Sequence, residues 1–371
     1  MKTAEKITLN KAELLAAIDP CAKTALTGGH VELMRCIRFV FDGKTLELAA
    51  TDGKSLVTRK IPSDAPQASF CINAVTVRNA VAAIKGEVTL NVTDSRVDIS
   101  GSGSKFSLPW LDSEDFPTIT DNNQRQSIGF SGLGLRSILS VLTATDGADT
   151  KTRPILGGVN FHKGEGHFNV YATNTYMGMT AKVEGDCDAE VTLSRDALTQ
   201  IGKLGFSDAE EIIVEFSDKA IHVERSGDQV IAASLLGQAP GTHKVFREKS
   251  FNQWIVDKDE LAAAVKTVIQ FAEKGIVSLH LTRTMEGLVA SCKSTANGEA
   301  ESTIPCDGGI FEHRVRLNAA YVLSCCAACP SQAMEIGFDD SDGYASRAVM
   351  VNAPGSDKWS AFIAPLAPEP K

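Results

Sequence analysis

In Lys105-Phe-Ser-Leu-Pro-Trp-Leu-Asp-Ser-Glu-Asp-Phe-Pro117 a strand ends and a connector begins. Phe106 and Leu108 alternate with polar residues, which predicts a β-strand, and Pro109 and Pro117 then lack the backbone N–H groups that a continuing strand needs. The acidic residues between the prolines are poor strand formers and indicate an exposed connector. A loop inside one domain would look the same locally, so a domain boundary here depends on whether the preceding pattern recurs.

The preceding pattern is a short strand, a helix cap, a helix such as residues 11–18, and several strands with hairpin turns. The caps of the first helices recur after 121 and 126 residues, at Asn10, Ser131 and Asp257. The caps of the second helices recur after 121 and 124 residues, at Asn73, Ser194 and Asn318. The turn Ala50-Thr-Asp-Gly53 returns 122 residues later as Ala172-Thr-Asn-Thr175. These spacings together predict a three-fold internal repeat.

Each repeat is expected to be an α+β unit in which two helices pack on antiparallel sheets. Residues 118–126 are polar with few large apolar side chains, and Pro240-Gly241 precedes a charged run. We therefore predict three domains, at residues 1–124, 125–247 and 248–371.

Composition narrows the class of protein. A chain of 371 residues is too long for one ordinary core, and 43% hydrophobic with 22% charged residues is typical of a globular protein. We expect a cytoplasmic protein without membrane contact, since no signal peptide or long apolar segment is visible. The nine cysteines are then expected to be reduced. A net charge of -9 argues against nucleic acid as a partner unless the cations share one inner surface.

Signals of other chemistry are weak. Cys326-Ala-Ala-Cys329 is the best candidate for a metal or redox motif, but no second pair of ligands stands at a suitable spacing, so small core residues are favoured. Gly43-Lys-Thr45 and Gly53-Lys-Ser55 lack the upstream glycines of a phosphate-binding loop and are typical of hairpin turns. No nucleophile and base arrangement recurs. We predict no catalysis and no cofactor, with a repeat-built enzyme as the weaker alternative.

Specific segments add a resemblance to a known family. The repeat, Glu114-Asp-Phe-Pro117, Val315-Arg-Leu-Asn-Ala-Ala-Tyr-Val322 and Phe362-Ile-Ala-Pro-Leu366 together resemble the bacterial sliding clamp, the beta subunit of DNA polymerase III, over essentially the full chain. The resemblance implies three tandem repeats of the DNA clamp fold in a head-to-tail dimeric ring, with helices lining a hole around double-stranded DNA. It implies tethering of a DNA polymerase catalytic subunit. A clamp loader and other proteins with clamp-binding motifs are the further partners it implies.

A sliding ring needs basic side chains near the phosphates without base-specific contacts. The candidates are cations on or beside the predicted helices, together with His30, which stands where the family usually has a DNA-contacting arginine. They are Lys11, Lys23, His30, Arg78, Lys85, Arg136, Arg153, Arg195, Lys203 and Lys266. Any one of them alone would equally suit an ordinary solvated helix face, so only the set is informative.

The resemblance also implies an apolar pocket, between the second and third domains, for short peptides of partner proteins. The corresponding residues are Leu156, Thr173, Thr175, Tyr176, Met177, Pro240, Lys244, Val245, Phe362, Ala364, Pro365 and Leu366. The family turn usually reads Ala-Thr-Asp-Gly-His-Arg-Leu, whereas this chain has Ala172-Thr-Asn-Thr-Tyr-Met-Gly178. Because Met177 replaces a basic residue, we expect Met177→Arg to strengthen binding of the usual peptide. Residues 367–371 follow the usual end of the chain and could partly cover the pocket.

For the ring closure, the resemblance places one sheet edge of the first repeat against the third repeat of a second copy. The residues on the two sides are Arg96, Lys105, Phe106 and Leu108, and Ile269, Gln270, Glu299 and Glu301. Fewer charges stand here than is usual, so we expect a weaker ring. The altered turn and His30 also keep open an alternative, a diverged clamp paralogue of phage, plasmid or accessory origin with different partners.

Overall fold

The computed structural model describes residues 6–119, 126–188, 190–217, 220–233, 246, 252–273, 275, 277–294, 296–309, 314–338 and 348–367. The chain divides into two compact units. They are Met1–Ser127 with Asp196–Phe206 and Ile212–Ser234, and Ile128–Arg195 with Ser207–Glu211 and Leu235–Lys371. The division into three domains stays a prediction. Among the described residues, no helix is long and apolar enough to cross a membrane.

The first unit combines three helices with antiparallel strands. Its elements, numbered along the whole chain, are β1 (Lys6–Leu9), α1 (Lys11–Thr24), β2 (Cys36–Phe41), β3 (Thr45–Thr51), β4 (Ser55–Pro62), β5 (Ala68–Asn73), α2 (Ala74–Ala83), β6 (Val88–Val92), β7 (Arg96–Gly101), β8 (Ser104–Pro109), α4 (Arg195–Gly202, from Asp196 onward), β14 (Glu211–Phe216), β15 (Ala220–Arg225) and β16 (Asp228–Ala233). One sheet runs β1-β6-β7-β8, so β8 is its edge. The other runs β5-β2-β3-β4-β16-β15-β14.

Helix caps and a shared core explain why these elements form. The side chain of Asn10 accepts hydrogen bonds from the first turn of α1, and Asn73 does the same for α2. Both helices bury their apolar faces on the strands, where the rings of Phe39 and Phe70 stack with centroids 5.4 Å apart. The predicted caps are confirmed. Strand β8 ends at Pro109, as the proline predicts.

The second unit repeats this combination. Its elements are β9 (Gln126–Ser131, from Ile128 onward), α3 (Gly132–Val141), β10 (Gly158–Phe161), β11 (His167–Thr173), β12 (Met177–Cys187), β13 (Val191–Ser194), β17 (Asn252–Asp257), α5 (Lys258–Val268), β18 (Ser278–Arg283), β19 (Leu288–Ser294), β20 (Gly298–Ile304), β21 (Asp307–Gly308), β22 (Arg314–Asn318), α6 (Ala319–Ala328), β23 (Ala333–Phe338), β24 (Val349–Asn352) and β25 (Trp359–Ile363). One sheet runs β20-β19-β18-β22, with β20 at its edge. Another runs β13-β10-β11-β12-β25-β24-β23-β17-β21.

Predicted caps recur in the second unit as well. Ser131 accepts a hydrogen bond from the first turn of α3, Asp257 caps α5 and Asn318 caps α6. Strand β12 is long because it pairs with β11 on one side and, one after the other, with β25 and β9. This pairing brings the β11–β12 turn next to the C-terminal strand, and it therefore positions the candidate site.

Candidate peptide-binding site and candidate DNA contacts

Buried polar side chains hold the turn between β11 and β12. Asn174 is 3% exposed, and its Oδ1 accepts hydrogen bonds from the N–H groups of Tyr176 (3.0 Å) and Met177 (2.8 Å). Its amide donates to the carbonyl oxygen of Asp146 (2.7 Å). Thr173 Oγ1 donates to the carbonyl oxygen of Met177 (2.6 Å). The turn is therefore rigid, and it presents Tyr176, whose exposed fraction is 63%, to solvent.

The turn between β3 and β4 in the first unit has the same hydrogen bonds. Thr51 Oγ1 donates to the carbonyl oxygen of Ser55 (2.7 Å), and Asp52 Oδ1 accepts from the two N–H groups that follow Gly53. Gly53 has a φ of 84°, and Thr175 takes the corresponding conformation with a φ of 80°. The likeness predicted between the two turns is confirmed in their geometry.

Two substitutions make the second turn different. Asn174 replaces Asp52, and only an amide can donate to the carbonyl oxygen of Asp146, because a carboxylate has no N–H group. Thr175 replaces Gly53, although a β-branched residue in the left-handed region costs about 1–3 kcal/mol. The turn of the candidate site thus stores backbone strain that the first-unit turn avoids.

Strand β25 and two aromatic rings lie beside this turn. Gly178 pairs with Phe362, and a Cβ atom at position 178 would lie 2.3 Å from the Phe362 ring. Glycine therefore lets that ring lie close to the backbone of β12. The Phe362 ring contacts Phe246 (centroids 5.4 Å apart), which in turn contacts Tyr171 (5.8 Å). Sequence reasoning missed Phe246 and Tyr171; an aromatic residue directly after the predicted Val245 was the available signal.

The C-terminal segment, residues 364–367, lies beside the β11–β12 turn and forms another part of the candidate peptide-binding site. The N–H of Ala364 donates to the carbonyl oxygen of Tyr176 (2.7 Å), and Ala364, Pro365 and Leu366 are half-buried. The structure therefore brings residues 173–177 and 362–366 together. Leu156 is buried in a 3₁₀ turn, Pro154–Gly157, and exposes little surface there. Pro240, Lys244 and Val245 lie outside the described residues.

Met177 requires a correction. Its side chain is fully buried, and the residue pairs with Ile363 of the neighbouring strand β25. An arginine there would place a guanidinium in the core, where an unpaired charge is strongly unfavourable. This burial argues against the expectation that Met177→Arg strengthens peptide binding, and it favours the opposite outcome.

The candidate DNA contacts fall into two groups. Four are engaged within the chain: Arg78 pairs with Asp19 (2.7 Å), Arg195 with Asp146 (2.6 Å), Arg136 with Asp208, and Lys11 donates to the carbonyl oxygens of Ala82 and Ile84. The other six are exposed and form no ion pair with a described acidic residue. They are Lys23, His30, Lys85, Arg153, Lys203 and Lys266. The second group is the one available to an anionic partner.

Three cations cluster in the first unit. Partial burial, and then the charges of Lys23 and Arg59, lower the pKa of Lys203. Arg59 is buried on β4, and its Nη2 has no hydrogen-bond partner among the described residues. Sequence reasoning missed Arg59, because nothing distinguishes it from other strand residues. Asp228 pairs with Arg59 (3.9 Å) and the charge of Asp196 opposes the effect of the two cations on Lys203, so acidic groups compensate part of this positive charge.

Five of the eight predicted seam residues lie on edge strands, and Arg96 lies on the inner strand β7. The five are Lys105, Phe106 and Leu108 on β8, and Glu299 and Glu301 on β20. Strands β8 and β20 each have one unpaired side among the described residues, which leaves backbone groups free for another chain. Lys105, however, pairs with Asp98 on β7 (3.0 Å), and Glu299 pairs with Lys293 on β19 (2.7 Å). Ile269 and Gln270 lie in the 3₁₀ turn after α5, beside Phe271, whose exposed fraction is 42%. Lys105 and Glu299 are thus compensated within one chain, whereas Arg96, which donates to Ser107, and Glu301 stay exposed.

The second unit also contains a separate cavity. Its volume is about 500 Å³, and it is lined mainly by α3, β12, the end of α6 and the start of β25. The lining includes Arg136 but no predicted peptide-binding residue.

Burial raises the pKa of Cys326 to about 12. Among the described residues no group of three or more His, Cys, Asp or Glu side chains is arranged to hold a metal ion.

Comparisons with known proteins find similarity to the DNA polymerase III beta subunit, the bacterial sliding clamp. Residues 5–120 match the family described as DNA polymerase III beta subunit, N-terminal domain. The beta sliding clamp of Caulobacter vibrioides is 21% identical over 353 residues, which cover 90% of this chain and 93% of the relative.

Solved structures agree over nearly the whole chain. The sliding clamp of Bartonella birtlesii bound to griselimycin superposes with a TM-score of 0.87 at 17% identity, covering 99% of this chain and 100% of that one. The sliding clamp of Bacillus subtilis gives a TM-score of 0.83 at 17% identity with the same coverage. The chain therefore has the sliding-clamp fold over its whole length, as expected from the sequence.

Proposed function

We propose that this chain, a relative of the bacterial beta sliding clamps with their fold over its whole length, is a DNA sliding clamp. It encircles duplex DNA without reading sequence and tethers a polymerase, and it performs no catalysis itself. The observation that carries this proposal is the match of nearly the entire chain to the clamp fold. The proposal includes the three-domain division at 1–124, 125–247 and 248–371, and a cytoplasmic location.

Contact with DNA is assigned to the exposed cations, above all Lys23 and Lys203. Ammonium groups close to phosphates release counterions, and they bind without base specificity. With a clamp loader, the protein should remain on nicked circular DNA and leave when the circle is cut. A protein that leaves both substrates equally fast is not a clamp.

The cation assignment has its own test. Neutralising Lys23 and Lys203 should lower the salt-dependence slope of DNA association by about 2, because each phosphate contact contributes about 0.9. Lys44, exposed in the β2–β3 hairpin, is the matched control, and Lys44→Ala should leave the slope unchanged. Equal slopes in all three proteins would place the contacts elsewhere.

Partner binding is assigned to the patch formed by residues 173–177 and 362–366. Apolar surface around Phe362, with an exposed Tyr176 at the rim, suits a short peptide with large apolar side chains. A fluorescent peptide carrying a clamp-binding motif should bind, and Tyr176→Ala should weaken it. The paralogue alternative is favoured by Asn174 and Thr175; a ring that forms but ignores this peptide at high micromolar concentration would support it.

Ring closure is assigned to pairing of β8 with β20 of a second copy. Two edges that pair remove their free backbone groups from solvent, and Phe106 and Leu108 are half-buried on β8. The internal pairs of Lys105 and Glu299 leave Arg96 and Glu301 as the main opposite charges for this seam, so the dimer should be weak. Sedimentation should show a monomer at low nanomolar concentration, and a persisting dimer would contradict this expectation.

A further inference from the structure

Arg316 on β22 binds the C-terminal segment, residues 364–367, through both its backbone and its side chain. Its carbonyl oxygen accepts a hydrogen bond from the N–H of Leu366 (2.8 Å), and its Nη1 donates to the carbonyl oxygen of Ala367. Its Nε donates to Ser278 Oγ on β18 (2.6 Å), which fixes the guanidinium plane. A guanidinium that is held by Ser278 through Nε and bonded to Ala367 through Nη1 keeps the segment in a fixed position.

The other end of the segment is also anchored. The N–H of Ala364 donates to the carbonyl oxygen of Tyr176 (2.7 Å), and Pro365 between the anchors has no N–H to bond. The three residues from 364 to 366 are half-buried, and the bond from Ala364 joins them to the β11–β12 turn of the candidate peptide site. Held at both ends, the segment keeps one conformation.

We propose that Arg316 is a positioning residue that holds the C-terminal segment as a preformed wall of the peptide-binding site. This inference rests on the proposed function. A wall that is already ordered does not have to be ordered by the incoming peptide, so binding keeps more of its contact energy. Without the Arg316 side chain, only the fraction of molecules with the segment in place binds peptide well.

Arginine suits this role better than lysine. Nε and Nη1 donate in different directions from one planar group, to Ser278 and to Ala367, whereas an ammonium on a flexible stem cannot keep both bonds in the same geometry. Arg316→Lys should therefore recover only part of what Arg316→Ala loses. The bond from Leu366 N–H to the backbone of residue 316 is available in both variants.

Arg283 provides a matched control. It lies on β18 of the same sheet and also donates to two carbonyl oxygens, those of Thr284 (2.6 Å) and Cys306 (2.7 Å), neither of which belongs to the C-terminal segment. Arg283→Ala should lower thermal stability without changing the wall. It separates a general loss of sheet stability from a specific loss of the wall.

The test measures three quantities on the full-length protein: amide hydrogen exchange at Leu366, affinity for a fluorescent clamp-binding peptide, and thermal stability. Arg316→Ala should speed exchange at Leu366 and weaken the peptide about tenfold, through the lower fraction of binding-competent molecules. For Arg316→Lys, the exchange rate at Leu366 and the peptide affinity should lie between those of Arg316→Ala and of the wild type. Arg283→Ala should change only stability.

Two outcomes overturn the inference. One is faster exchange at Leu366 in Arg316→Ala with unchanged peptide affinity, which would make the grip purely structural. The other is the same loss of affinity in Arg283→Ala. If the wild-type protein binds no such peptide, the assignment of the peptide site fails and this role fails with it, while retention on circular DNA tests the clamp function separately.

Discussion

Asn174→Asp should destabilise the second unit although it restores the residue found in the first-unit turn. The carboxylate keeps the two bonds from Tyr176 and Met177 but loses the one to Asp146, and it sets a negative oxygen against that carbonyl. The side chain is 3% exposed, so water cannot replace the lost bond. We expect a loss of about 1–3 kcal/mol. Asn174→Ala leaves three backbone groups unpaired, at about 1 kcal/mol each, and should lose about 3 kcal/mol.

Thermal unfolding followed by tryptophan fluorescence measures this loss. Trp359 on β25 pairs with β12, so it reports on the unit that contains the turn. A loss of about 3 kcal/mol corresponds to about 6–12 °C in Tm for a unit of this size. Asp52→Asn is the matched control and should change Tm little, because Asp52 only accepts hydrogen bonds from its own turn. Equal Tm values for Asn174→Asp and wild type would refute the role assigned to the bond with Asp146.

Four further results are expected. Met177→Arg should lower stability by about 3 kcal/mol and weaken peptide binding, since it buries a guanidinium; unchanged stability would mean that residue 177 is accessible. Thr175→Gly should relieve backbone strain and Gly53→Thr should create it, so melting temperatures should move in opposite directions. Hydrogen bonds from the Glu260 N–H and the Gln332 amide lower the pKa of Asp257. The stabilisation that its carboxylate provides is therefore present above about pH 4, and the destabilisation caused by Asp257→Ala should shrink as the pH falls below that value. A pH-independent destabilisation would argue against this cap. Cys306, the one cysteine that is not fully buried, should react first with a thiol reagent, as peptide mapping can show.

Much of the fold was readable from local chemistry. Cap residues, turn glycines and strand alternation act over a few residues, so Asn10, Asn73 and Pro109 mark element ends correctly. The first helix is the exception: residues 11–18 were predicted, and α1 continues through Pro20 to Thr24. Proline removes one internal hydrogen bond, but Pro20 and the next residue, Cys21, are both buried and keep the helix packed.

The candidate site was readable only in part. Similarity to the family turn singled out residues 173–177, but not which of their side chains point inward, because an insertion or register shift of one residue reverses the two faces of a strand. The expectation for Met177→Arg requires an accessible side chain at this position, which the structure buries. Phe246, Arg316 and Asp146 are far from the turn in sequence, and their contacts with the site depend on the way distant strands pair.

The sequence by itself determined the repeat, the α+β class and the position of most helix and strand ends, since spacing and capping are properties of neighbouring residues. Only the tertiary structure decided that Asn174 needs an amide, that Met177 is core and that Arg316 holds the C-terminal segment. Each of these follows from a contact between groups 28 to 51 residues apart or from strand pairing across the sheet. Such contacts are made by folding, and no local pattern records them.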